Sequence, residues 1–433
     1  MRYEIRYSST ISEKLEPFFS SGKLWEMDAR AAMKCSASET AAIHAYIGPR
    51  DIEALSIPRF LQILFSALPH STNFGGIIGF SKLFLREIAR REDVLSLVGI
   101  TNYIFKSLCL NVDGLPMLVA ERTLRACQEL HYWANVEIHK IRTRNLEYYR
   151  IPITLDGAMS SLSIDRTNKA VVLTFLTENY LENLVIWLDM YQRHDPRGAH
   201  LIIAAIGKSV SVKVLDICKQ RGATLTKVFE WDPPCKVTTS GNGMDLAFLW
   251  YVKVHMVSYL VRHGLRVVYS DLDAYWIKNF FNLWDAVRES TKADLVLSPT
   301  FDMPATAILH WTFAPCAGFF CVEPTPNAQE FLGEWRRMTE VMFDDQIGLS
   351  ELLFRSGIVW RTAEEADVSL IANAMMRSGR TATLAVLDPN TAKRIGVADP
   401  QSIGTATIWH PRWVMNPAQH IEAIRQLTSS GIE

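Results

Sequence analysis

Several things are scarce in this chain of 433 residues, and each scarcity closes off a class of function. Only 7 cysteines occur, scattered without a C-x-x-C or a Cys/His pairing, which excludes both a disulfide framework and a cysteine-based zinc site. Free thiols in a reducing compartment are the expectation. Net charge is scarce as well: 45 basic against 46 acidic residues leave -1, so nothing marks the chain for nucleic acid or an anionic membrane. Long apolar runs are absent too, stretches such as Phe60 to Leu68 falling well short of the ~20 residues that span a bilayer. Met1 to Tyr7 mixes charges and has no apolar centre, unlike a cleavable signal peptide. A soluble protein is therefore expected, cytoplasmic or exported without an N-terminal signal. What is present is ordinary: 48% hydrophobic and 21% charged residues suit a globular chain of two or three domains.

The chain reads as two halves. Over residues 1–150 the pattern is mainly helical, with apolar residues at three- and four-residue spacing in Phe60-Leu61-Ile63-Leu64-Leu68 and in Leu118-Val119-Leu124-Cys127-Leu130. No motif there carries a chemistry, and a helical unit serving acceptor recognition or oligomerisation is the expectation. From about residue 165 to 433 the pattern alternates. Lys169 to Leu176 is a β-branched apolar run, Leu181 to Leu188 has helical spacing, and Ala199 to Ile206 is a second strand. A helix ending at Arg221-Gly222 follows, then a longer one from Asp245 to His263 that stops at Gly264, then a strand from Leu265 to Tyr269. Near-continuous apolar strands alternating with helices predict an α/β domain with a mostly parallel sheet covered on both faces.

That last strand delivers the most informative residues in the chain, Ser270-Asp271-Leu272-Asp273-Ala274-Tyr275-Trp276. In open α/β sheets ligands gather at the carboxyl ends of strands. Two carboxylates at i and i+2 there can turn toward one point and hold Mg²⁺ or Mn²⁺ that shares diphosphate oxygens. A solvated acidic turn is the plain alternative, and the surrounding residues decide.

Lys253, Gly264, Val267-Val268, Ser270-Asp271-Leu272-Asp273 and Trp276 resemble the signature of nucleotide-diphospho-sugar transferases, within them glycosyltransferase family 77, the group of plant cell-wall arabinosyl- and xylosyltransferases. Further segments fall in the same order: Val172 to Phe175 with Thr177-Glu178-Asn179-Tyr180, Ala293-Asp294-Leu295, Ala317-Gly318-Phe319-Phe320, Phe343-Asp344-Asp345-Gln346, and Trp409-His410-Pro411-Arg412-Trp413. The resemblance implies a Rossmann-like GT-A fold, a uridine diphosphate sugar donor, a glycan or protein acceptor and a retaining transfer. It also implies Mn²⁺ or Mg²⁺ at Asp271 and Asp273 with His410 as a further ligand. Thr177 and Asn179 would touch base or ribose, Lys253 and Asp271 would bind donor, and Arg412 or His420 would stand in for an absent lysine at the diphosphate. Asp345 and Gln346 would lie at the reacting centre, although Asp345 could equally be a helix-start acid. Cys316-Ala317 departs from the family's Asn-Thr, losing two polar side chains.

Two other functions compete. A haloacid-dehalogenase-type phosphatase would use the first aspartate as nucleophile and the second as acid. Tyr275 stands where that chemistry wants a small residue, and the pair does not open its domain. A non-catalytic scaffold would need neither aspartate nor His410.

Overall fold

The computed structural model describes residues 170–231, 243–301, 304–342, 344–364, 367–394 and 403–411, with isolated stretches between 129 and 160 and between 422 and 426. The chain divides into two units, residues 1–145 with 304–310, and residues 146–303 with 311–433. Of the helical half expected over 1–150, only residues 129, 132–134 and 136–137 are described, and they are helical. The rest of that expectation, and with it Arg412, His420 and Phe343, lies outside the described residues.

The second unit is built on a large sheet. In chain order its elements begin with β1 (Ala170–Leu176), α1 (Leu181–Tyr191), β2 (Leu201–Ile206), α2 (Lys208–Gln220), β3 (Lys227–Trp231), α3 (Gly243–Arg262) and β4 (Arg266–Ser270). There follow β5 (Tyr275–Trp276), α4 (Phe280–Thr291), β6 (Leu295–Thr300), β7 (Ala314–Val322), α5 (Pro326–Met342), α6 (Asp345–Arg355) and β8 (Arg361–Thr362). The last strands are β9 (Val368–Met375), β10 (Thr381–Leu387), β11 (Ala392–Lys393) and β12 (Ile408–Trp409).

Among the described residues nine strands form one sheet in the order β3-β2-β1-β4-β7-β6-β10-β9-β8. The pairings β3/β2, β2/β1, β1/β4 and β6/β10 are parallel, whereas β7 runs against both β4 and β6 and β9 runs against β10 and β8. Only β7 and β9 are thus reversed, and the sheet is mixed rather than wholly parallel. All six residues of β2 and all nine of β7 are buried, as strands covered on both faces require.

The first four strands appear where the apolar runs place them, except β3. Its Lys227-Val228-Phe229-Glu230-Trp231 alternates weakly because it is an edge strand with one solvated face. Helix α3 ends as expected: Gly264 takes φ 82°, a left-handed turn that a side chain resists, and the chain reverses directly into β4. The core beneath the strand tips is aromatic. Trp187 stacks on Tyr191 at 5.1 Å, and Trp276 meets Tyr191 edge-on at 5.1 Å. A separate three-stranded sheet, β11-β12-β5, lies just after the acidic pair, with Ile408 opposite Trp276 and Trp409 opposite Tyr275.

Candidate active site

The backbone after β4 turns sharply, and buried groups strap the turn. Trp187 Nε1 donates to the Ala274 carbonyl at 2.9 Å, Ala274 N donates to the Asp271 carbonyl at 3.0 Å, and Asp271 N donates to the Gly318 carbonyl at 2.7 Å. Both carboxylates of Asp271 and Asp273 stay partly exposed while Leu272 between them is buried. The tight turn closed by that Ala274–Asp271 bond thus packs the leucine inward and leaves both acids partly exposed.

The small sheet supplies the third member. Pairing Trp409 with Tyr275 in antiparallel register sets the next residue, His410, beside Asp273. His410 N donates to the Lys393 carbonyl at 2.8 Å, and its Nε2 lies 3.2 Å from Asp273 Oδ1. One ligand atom each from Asp271, Asp273 and His410 lies within 4.8 Å of the other two. Residues 137 positions apart in sequence, from Asp273 to His410, converge only through that register.

Gly318 makes the convergence possible. A Cβ at this position on β7 would stand 2.4 Å from His410 Cε1 and 2.5 Å from Asp271 Oδ2, closer than atoms pack. The donor set fits a divalent cation: two carboxylates suit Mg²⁺ or Mn²⁺, and the imidazole favours the transition metal. Burial and Arg394 push the His410 imidazole down, but Asp273 and Cys316 outweigh them and raise it to about 9.

A second charged group lies beneath the acids. Lys253, buried on α3, pairs with the buried carboxylate of Asp345, donates to the Ala317 carbonyl at 3.1 Å and sits 4.8 Å above the Tyr269 ring. Tyr269 in turn donates its hydroxyl to Asp271 Oδ1 at 2.6 Å. Burial works against the Lys253 charge, yet Asp345 and Asp271 raise its pKa, so it remains an ammonium ion. Asp344 caps α6 by accepting from Ile347 N at 2.7 Å, so of the two adjacent acids one caps the helix and the other engages Lys253. Gln346 is committed to β7, its Oε1 accepting from Ala317 N at 2.7 Å and its Nε2 donating to the Pro315 carbonyl at 2.5 Å.

Thr177 and Asn179 sit on the turn after β1, the parallel neighbour of β4, and therefore at the same end of the sheet as the acids. Thr177 is buried and its hydroxyl has no partner among the described residues, while Asn179 is exposed. Tyr180 beside them is 49% exposed. Its hydroxyl is raised by burial and then by the fields of Asp273 and Asp271, which ties this turn to the acidic pair.

Four contributors have roles at the site that the sequence reading does not assign. Trp187, Tyr269 and Gly318 act through contacts that no local pattern reports. Arg394 lies at the site through its Nη1, 2.9 Å from His410 Nδ1 and 3.4 Å from Cys316 Sγ. A basic residue is expected after the late histidine, yet the chain supplies one 16 positions before it. Asp294, inside one of the matching segments, is instead a tie at the far end of β6, accepting from Thr325 and from Thr383 N.

The fold is a mixed α/β arrangement consistent with GT-A, and a family model matches within it. Residues 213–399 match the family model of the nucleotide-diphospho-sugar transferases. That segment is similar to a nucleotide-diphospho-sugar transferase domain, and the protein is a glycosyltransferase. Among solved structures, mouse xyloside xylosyltransferase 1 in its apo form aligns with 43% of this chain and 82% of its own, at 13% identity and TM-score 0.31. No curated protein matches. Among the described residues no helix is long and apolar enough to cross a membrane.

Proposed function

We propose that this glycosyltransferase is metal-dependent and moves a sugar from a uridine diphosphate donor to a hydroxyl of a glycan or protein acceptor with retention of configuration. The observation that carries this reading is the convergence of Asp271, Asp273 and His410 at Gly318, where a side chain has no room. These three residues would hold Mn²⁺ or Mg²⁺. When bound, the cation supplies charge neutralisation for the departing diphosphate.

The chain's own groups set the rest. Tyr269 orients Asp271 through its hydroxyl, and the Lys253 ammonium beneath it offsets the concentrated negative charge. The buried Thr177 hydroxyl, without a partner among the described residues, would touch base or ribose together with Asn179 and the exposed face of Tyr180. Arg394 is placed to meet diphosphate, the role foreseen for Arg412. Asp345, held by Lys253, acts as a buried negative charge that steadies the ammonium, and Gln346 fixes the β7 backbone at Pro315 and Ala317 near the reacting centre. Residues 1–150 are proposed to form a separate helical unit recognising the acceptor or another subunit.

Donor hydrolysis across a panel of sugar nucleotides with and without Mn²⁺ tests this reading. Turnover with a uridine diphosphate sugar that disappears with chelator and returns with Mn²⁺ is expected. Full turnover after chelation, or in Asp273→Ala, sinks the metal-dependent reading.

A further inference from the structure

Cys316 stands where the resembled family carries an asparagine, and in sequence the change reads as a loss of polar contacts. Its surroundings give the sulfur a job. Cys316 is buried on β7, two residues before Gly318, and its Sγ accepts from Gly318 N at 3.4 Å, which holds the side chain in one direction. Along that direction Sγ lies 3.7 Å from His410 Nδ1, the ring nitrogen opposite the one facing Asp273.

Arg394 competes for the same ring only in appearance. Its Nη1 lies 2.9 Å from Nδ1 and 3.2 Å from Nε2 at once. The lone pairs of the two ring nitrogens diverge in the ring plane, so one atom cannot lie along both. The guanidinium nitrogen therefore sits against the face of the imidazole, and the in-plane partner of Nδ1 is the sulfur. A neutral histidine that presents Nε2 to a cation must carry its proton on Nδ1, and it needs an acceptor there.

We infer that Cys316 is the positioning residue for His410, its sulfur accepting from Nδ1–H so that Nε2 offers its lone pair on the Asp271 and Asp273 side. This rests on the metal-dependent reading above. It assigns the sulfur no bond to the cation.

Mn²⁺ binding to the full chain, followed by electron paramagnetic resonance without any nucleotide, tests the assignment. Cys316→Val keeps the volume and removes the acceptor, Cys316→Ala removes both, and Cys316→Ser keeps an acceptor. Affinity is expected to fall about 10- to 100-fold in Cys316→Val and Cys316→Ala, the usual effect of losing a partner behind a ligand histidine. Cys316→Ser should stay within about threefold of wild type, on the same reasoning. Melting curves recorded with chelator check that each variant is folded; if Cys316→Ala does not fold, Cys316→Val against Cys316→Ser decides. Equal affinities in wild type, Cys316→Val and Cys316→Ser overturn the inference while leaving the metal site intact, and so does equal loss in Val and Ser. A sulfur-to-metal charge-transfer band on adding Cd²⁺, present in wild type and absent in Cys316→Ser, also overturns it by making the sulfur a direct ligand. No Mn²⁺ binding by wild type fells the metal reading itself, and this inference with it.

Discussion

Two groups of acids meet at the tip of β4, and they are handled in opposite ways. Above the strand end, Asp271 and Asp273 are partly exposed and face an imidazole across 3.2 Å. Below it, Asp345 is buried and engaged by the ammonium of Lys253, whose side chain is 3% exposed. A carboxylate in a low-dielectric interior has to be neutralised by the protein itself, because no water or ion reaches it. A pair left partly exposed can be neutralised by a cation from solvent. The difference separates charges neutralised within the fold from charges left partly exposed.

The comparison can be broken from either side. Lys253→Met strands a buried carboxylate, and a loss of about 3–5 kcal/mol of stability is expected, read as a large fall in chemical denaturation midpoint. Adding Asp345→Leu to it should restore much of that loss; if the double variant is no more stable than the single, the pair is not the reason. Asp273→Ala should leave the denaturation midpoint almost unchanged yet lower donor turnover at least about 100-fold, roughly 2.7 kcal/mol of transition-state stabilisation. A fall in stability comparable with that of Lys253→Met would erase the distinction between the two groups.

Smaller effects sharpen it. Gln346→Ala removes two hydrogen bonds to the β7 backbone and should cost about 1–3 kcal/mol, with turnover reduced through a loosened strand. Turnover lost with no change in stability would instead put Gln346 in contact with substrate. Smallest is the effect of His255, which lies away from both groups on α3. Its ring is 2.7 Å from Asp156 and 3.1 Å from Arg336. Burial lowers its pKa from 6.5, Asp156 opposing and Arg336 and Arg262 assisting. A base with a depressed folded-state pKa contributes stability that is full above 6.5 and declines as pH falls toward the depressed value. Melting temperature should therefore fall more for wild type than for His255→Gln between neutral and mildly acidic pH; parallel curves would remove His255 from the account.

The apolar runs of β1, β2 and β4 and the stop at Gly264 were legible because burial on both faces and a left-handed turn each demand a residue type at one place in the chain. The reversed β7 was not, since nine buried residues in a row carry no direction. Asp271 and Asp273 were legible as neighbours two positions apart at a strand end. Their dependence on Gly318, on the tie from Tyr269 and on Arg394 was not, because those contacts span sheet neighbours or the small second sheet.

By itself the sequence determined an α/β unit in which a third or later strand ends in two acids, because hydrophobic periodicity and chain punctuation are local properties. Tertiary structure alone decided which charges stay partly exposed and which are neutralised within, because that depends on depth and on strand register. The pairing of Trp409 with Tyr275 brings His410 to Asp273, and the antiparallel approach of β7 sets Gly318 beneath Asp271 and Cys316 behind the histidine. One residue's slip in either register would turn those side chains to the other face of the sheet.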